Sequence, residues 1–233
     1  MNSHAFDAIA YHRSLASDWE RRYQKSAFRA RQTVLAKCLQ GQALAGSLWL
    51  DAGCGTGTLS RWLAARGCRV VGMDGAPEMV SAAHRIAASS ASSTRAQFVC
   101  VRTIAKLPLP SNCVDGILCS SVLEYVEDPR ACVHEFVRVL KRGGLLLVSV
   151  PNRKSLVRRV QVGCRRWGSF VGIDWVKFLK YSHQEFSPLE FEHLLKEAGF
   201  SVKKQVSFGS PLPALAQRSR TWGPLLMFVA EKL

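Results

Sequence analysis

A mostly parallel, doubly wound α/β sheet is the fold this sequence predicts, and three observations carry that expectation. Short apolar runs alternate with helical stretches from residue 47 to 150. The first run ends in an acid that opens onto glycines at alternate positions, Asp51-Ala52-Gly53-Cys54-Gly55-Thr56-Gly57. The second run ends in another acid, Asp74. In sheets of this kind ligands bind at the carboxyl ends of the strands.

Each element follows from its pattern. Leu48-Trp49-Leu50 is a buried-strand run that delivers Asp51 to the glycine loop. Leu59, Trp62 and Leu63 then recur at helical spacing over 58–66, and Gly67 stops the helix. A second strand covers 69–73, and Pro77 opens a helix carrying Met79, Val80, Ala83 and Ile86. The Ser/Ala-rich stretch 87–94 reads as a loop, followed by a third strand over 97–101 and a fourth over 114–119. The spacing next predicts a helix over 129–140 and a fifth strand over 145–150, introduced by Gly143-Gly144. A helix over 187–198 ends at Gly199, and two further strands, 202–208 and 225–231, flank the loop 209–223. Residues 11–40 form an amphipathic helical preface. The whole reads as one domain: preface 1–46, core 47–150, basic segment 151–186, and C-terminal helix and strands 187–233.

The composition agrees. At 233 residues, 48% hydrophobic and 21% charged, the chain excludes disorder, collagen and coiled coil. The longest apolar runs, 145–148 and 225–230, fall far below a membrane span, and the first ten residues show no export signal. Eight cysteines are scattered without a CxxC pair, which fits a reduced, cytoplasmic protein better than a disulfide framework. The net charge is +15, and residues 153–180 supply +7 of it: eight Lys/Arg against Asp174 alone. Those cations are interleaved with Trp167, Phe170, Trp175 and Phe178. Such a stretch suits an anionic membrane surface, an anionic substrate or RNA, and equally a lid helix with a solvated basic face.

The glycine loop is the most informative stretch. Alternating glycines allow positive φ and let backbone approach a ligand. The spacing GxGxG places Thr58 where the dinucleotide fingerprint needs its third glycine, and no GKS or GKT follows. The loop is therefore read as cradling a neutral or zwitterionic group. Asp74, ending the next strand, is placed to accept ribose hydroxyls through two carboxylate oxygens.

These residues resemble the class I S-adenosylmethionine-dependent methyltransferases. The likeness rests on Asp51–Gly57, Val71–Asp74, Leu107-Pro108-Leu109-Pro110 with Val114-Asp115, Val122–Val126 and Leu140–Gly144. It implies a seven-stranded, Rossmann-like sheet that binds S-adenosylmethionine and releases S-adenosylhomocysteine. Gly53, Gly55 and Gly57, with Asp51 ahead of them, would approach the methionine part, Asp74 the ribose and Met79 the adenine. Cys119-Ser120 would meet the methionine amine through the backbone. One departure stands out: Val101-Arg102-Thr103-Ile104 replaces the acid that relatives place after the third strand. Thr103 takes that contact, or adenine is held more loosely.

Methyl transfer requires the nucleophile and methyl to be held close, away from water, with a base only where the nucleophile is protonated. Tyr11, His12, Trp19 and Tyr23 of the preface are candidates to cover the cofactor, and Arg29 or Arg31 to meet its carboxylate. His183, beyond the basic segment, is the candidate base. No cluster has metal-ligand spacing, so no metal is expected. The basic segment resembles an insertion of the ubiquinone-biosynthesis methyltransferases, which implies a small aromatic or lipophilic acceptor methylated at oxygen or nitrogen. A nucleic-acid methyltransferase is the runner-up on charge, but Cys119-Ser120-Ser121-Val122 lacks the Asp/Asn-Pro-Pro motif that stacks a flipped base. A non-catalytic cofactor-binding relative is the third reading.

Overall fold

The computed structural model describes residues 26–89, 95–156, 158–159, 182–209 and 223–233, with residues 9–11, 13, 15 and 19 of the preface. The described helices are α1 (Ser26–Cys38), α2 (Thr58–Ala64), α3 (Pro77–Ala88), α4 (Pro129–Val139) and α5 (Pro188–Glu197). The strands are β1 (Leu48–Ala52), β2 (Arg69–Asp74), β3 (Ala96–Cys100), β4 (Val114–Ser120), β5 (Leu140–Pro151), β6 (Phe200–Phe208) and β7 (Leu225–Lys232). They form one seven-stranded sheet in the order β3-β2-β1-β4-β5-β7-β6. The five strands from β3 to β5 run parallel, and β7 lies antiparallel to both β5 and β6.

Alternation along the strands builds two cores. Leu50 and Ala52 of β1, Leu146, Val148 and Val150 of β5, and Leu226, Phe228 and Ala230 of β7 face Phe136 of α4 and Phe191 and Leu195 of α5. The intervening Trp49, Leu147, Met227 and Val229 face Leu35 of α1, Leu59 and Leu63 of α2, and Val80 and Ala83 of α3. Helices thus cover both faces of the sheet, which is why its central strands are apolar throughout.

Several boundaries differ from the sequence reading. The helix expected over 129–140 ends at Val139, and β5 starts directly at Leu140, which is fully buried and pairs with Val114. Gly143 and Gly144 therefore lie within β5, beside the register shift between Val114 and Gly116. α3 continues to Ala88 because Ala87 is buried against the sheet. β6 starts at Phe200, which is buried and pairs with Lys232. No helix among the described residues is long and apolar enough to cross a membrane.

Candidate active site

The loop after β1 is laced to the end of β2. The amides of Gly53 and Cys54 both donate to the Met73 carbonyl, at 2.7 and 3.0 Å. Asp74 then closes the lattice: one carboxylate oxygen accepts from Gly55 N at 2.8 Å, the other from Ala76 N at 2.9 Å. Gly53, Gly55 and Gly57 have φ of 76°, 55° and 75°, a region that side-chain-bearing residues enter at a cost. Space forbids a side chain as well, since a Cβ on Gly57 would lie 2.4 Å from Phe98 Cε1. Asp51 is buried beneath the loop and accepts from Ser60 Oγ at 2.5 Å. Burial pushes its carboxyl up to about 7, against the Ser60 hydrogen bond, and the neighbouring charge of Asp74 adds to the shift. Burial also raises Asp74, against its backbone hydrogen bonds.

The preface lies over these loops. A Cβ at Gly55 would sit 3.3 Å from Trp19 Nε1, and one at Gly75 3.3 Å from Ile9 Cδ1. Arg13 Nε is 2.9 Å from Glu78 Oε2, tying the preface to the first turn of α3.

The end of β4 forms the opposite wall. Ser121 adopts a left-handed conformation, φ 57°, and its amide donates to Ser149 Oγ at 3.0 Å. Ser120 Oγ is 3.3 Å from the same hydroxyl. Val122 packs under Gly53, and two residues on, Glu124 is 4% exposed. The Glu124 carbonyl accepts from His183 N at 2.9 Å. Among the described residues its carboxylate Oε2, itself buried, accepts from no donor. Burial pushes that carboxyl up to about 7, opposed first by a hydrogen bond from its own backbone and then by the charges of Arg31 and Arg158. Tyr125 is raised by burial and by the charge of Glu124.

The other expected site residues are placed as follows. His183 is exposed and anchored through its main chain, while the buried acid beside it, Glu124, occupies the wall. Thr103 is exposed, with its hydroxyl accepting from Ala105 N at 3.1 Å in a local turn. Met79 is buried at the start of α3. Tyr23 and His12 lie outside the described residues, as does the side chain of Arg29. The basic segment is described only at its two ends. There Arg158, one of the cations of the segment read as touching substrate or a membrane surface, is 4% exposed. Its Nε donates to Glu185 Oε1 at 2.8 Å and its Nη2 to Ser182 Oγ at 3.0 Å, a strut closing the base of the segment. A tally of charge cannot see partners more than twenty residues away.

Two motif pieces prove structural. Glu135 Oε1 accepts from Leu107 N, and Arg138 Nη2 donates to the Leu107 and Leu109 carbonyls, which clamps the Leu-Pro-Leu-Pro stretch. Asp115 accepts from Leu48 N and from Lys141 Nζ at the far end of the strands. Sequence reasoning missed Glu124, Arg158 and Ser149. The one signal for Glu124 was a single acid within Val122-Leu123-Glu124-Tyr125-Val126, immediately after a buried strand.

Comparison with known proteins agrees with this geometry. A family model described as a methyltransferase domain matches residues 50–148. A ubiquinone biosynthesis O-methyltransferase of Xanthomonas oryzae is 37% identical over 181 residues, covering 71% of this chain and 75% of that protein. A protein of the same name from Xylella fastidiosa is 34% identical over 167 residues, or 69% of this chain, and the chain spans 63% of that relative's length. Among solved structures, magnesium protoporphyrin IX methyltransferase from Synechocystis with bound S-adenosylhomocysteine has a TM-score of 0.71 at 23% identity, covering 96% of this chain and 97% of that one. That likeness is one of fold. The chain belongs to the class I S-adenosylmethionine-dependent methyltransferases.

The residues present fit the family's cofactor, S-adenosylmethionine. Three glycines keep side chains out of the loop, and the Asp74 carboxylate, held by the backbone of Gly55, Gly75 and Ala76, stands at the end of β2 with acceptor capacity beyond them.

Proposed function

We propose that the chain transfers a methyl group from S-adenosylmethionine to a hydroxyl oxygen of a small aromatic or lipophilic metabolite. The observation that carries this reading is the closure of the preface, through Ile9 and Trp19, over the glycine loop and the end of β2. Such closure excludes water from the place where nucleophile and methyl must meet. The printed name of the Xanthomonas and Xylella relatives supports oxygen as the acceptor.

When bound, S-adenosylmethionine supplies an electrophilic methyl group on a sulfonium. The chain's own residues bind and orient. Asp74 takes the ribose hydroxyls on the acceptor capacity left by Gly55, Gly75 and Ala76. The glycine loop and the Ser120 backbone hold the methionine end, and the buried carboxylates of Asp51 and Asp74 favour a cation between the ends of β1 and β4. Met79 and the Thr103 turn border the adenine, and Arg29 or Arg31 of the preface helix meets the methionine carboxylate. Peripheral contact with an anionic membrane surface, in a reducing cytoplasmic setting, rests on cations other than Arg153 and Arg158. Those two are engaged by Glu190 and Glu185.

Calorimetric titration of S-adenosylmethionine into the wild type and Asp74→Ala tests the cofactor reading. Each hydrogen bond to a charged acceptor is worth about 1.5–3 kcal/mol, so the substitution weakens binding by well over tenfold. Equal affinities refute the ribose assignment.

A further inference from the structure

We propose that Glu124 is the residue that holds and deprotonates the methyl acceptor: its Oε2 accepts a hydrogen bond from the acceptor's hydroxyl and then takes the proton as methyl transfer proceeds. This inference rests on the O-methylation reading above and names the group that makes it work.

The placement comes first. Glu124 follows β4 by four residues, and Val122, in the same turn, packs directly under Gly53 of the glycine loop. The turn that carries Glu124 is therefore part of the wall beside the cofactor loop. The second observation is the orphaned oxygen. A buried carboxylate oxygen without a donor is costly, and a ligand hydroxyl removes that cost.

The neighbours do not discharge this role. Arg158, approaching from beyond β5, spends its Nε on Glu185 and its Nη2 on Ser182. Arg31 of α1 acts on the carboxyl through its charge, as does Arg158. Tyr125 lies on the same turn, with Tyr11 of the preface beyond it, and the buried thiol of Cys119 lies on β4. Burial raises the carboxyl to about 7, which makes it a competent base at neutral pH and an unfavourable neighbour for a carboxylate acceptor. His183, the other candidate, is exposed.

The step balances. The acceptor oxygen forms a bond to the methyl carbon as the carbon–sulfur bond breaks. The sulfonium becomes a neutral thioether, the O–H proton passes to Glu124 Oε2, and water removes it once product has left.

The test uses the full chain, wild type and Glu124→Gln, with S-adenosylmethionine and two probe acceptors, catechol and nitrocatechol. The nitro group acidifies the phenol, so nitrocatechol reaches the site largely ionised and needs no base. Glu124→Gln is expected to bind S-adenosylhomocysteine as the wild type does, measured by calorimetry. It is expected to lose roughly 100-fold or more in kcat on catechol and far less on nitrocatechol. Wild-type kcat/KM for catechol should fall tenfold per pH unit below about 7, a limb the variant lacks. In the absence of methyl donor, the visible spectrum of nitrocatechol bound to the S-adenosylhomocysteine complex should report a different ionisation in the variant. Equal losses on both probes, or no loss, overturn the assignment and leave the O-methylation reading standing. A wild type that methylates neither probe overturns the O-methylation reading, and this assignment with it. If Glu124→Gln fails to bind S-adenosylhomocysteine, Glu124→Asp takes its place. It keeps a carboxylate one methylene shorter and should retain the acid limb at a reduced rate, and loss of that limb in a variant that binds the product overturns the assignment.

Discussion

Replacing Gly53 with alanine tests whether the glycine loop is held by backbone conformation, by the space beneath it, or by both. The residue has φ 76°, and an added Cβ would lie 2.3 and 2.7 Å from the two methyl carbons of Val122. Ordinary carbon contacts begin near about 3.5 Å, so the clash exceeds roughly 1 Å and cannot be absorbed by a rotation of the β-branched side chain alone. The left-handed backbone costs alanine about 1–2 kcal/mol. Overpacking adds about 1–3 kcal/mol. Gly53→Ala should therefore lose roughly 2–5 kcal/mol. Val122→Ala alone removes two half-buried methyl groups and should cost about 1 kcal/mol. In the double variant the two methyl clashes go, leaving the Cβ of residue 122 at 3.1 Å, while the backbone strain stays. Urea unfolding of all four proteins, followed by circular dichroism, should give a coupling energy of about 1–3 kcal/mol in favour of the double variant. Strictly additive losses would show that Val122 does not support the loop and would refute the reasoning.

Two further outcomes follow from buried charge. Asp51 and Glu124, both raised to about 7, carry protons in the folded chain that the unfolded chain releases nearer pH 4. Stability should thus fall as pH rises from about 5 to 7, by at most ~1.4 kcal/mol per pH unit for each group, and Glu124→Gln should flatten the slope. Urea midpoints across that range decide it, and a slope unchanged in the variant counts against a raised Glu124. Arg158→Gln breaks a largely buried pair with a partly exposed acid and should cost about 3 kcal/mol, whereas Arg159→Gln, at an exposed position, should stay within about 0.5 kcal/mol. Thermal unfolding of the two variants separates them, and similar losses would contradict the strut.

The parts legible in the sequence were those governed by local rules. The apolar runs identify the strands because a sheet covered on both faces must be apolar along its central strands. The places of Asp51, the three glycines and Asp74 at the ends of β1 and β2 were legible because a strand–loop–helix crossover has a fixed local pattern. Hydrogen bonding gave Asp74 a second duty that spacing could not show, since its partner Gly55 N is supplied by the other loop. Arg158 and Glu124 were illegible for a related reason. Their meaning depends on partners brought in from 24 to 34 residues away, at Ser182, Glu185 and, for the pair itself, each other's charge. The start of β5 was misjudged because Gly143-Gly144 is a strong local break signal, overruled by the pairing of Leu140 with Val114 and its burial.

The strand order also dictates when the sheet can be finished. β7 is the last of the seven strands to leave the ribosome, yet it lies inside the sheet, hydrogen-bonded to β5 on one side and β6 on the other. β6 is synthesised earlier and, among the described strands, pairs with β7 alone. Until β7 emerges, the nascent chain holds at most five paired strands, with the apolar flank of β5 open and β6 unattached. Long-range pairing is slow and leaves edges exposed to aggregation. A nonsense mutation within β7 would therefore remove two strands from the sheet.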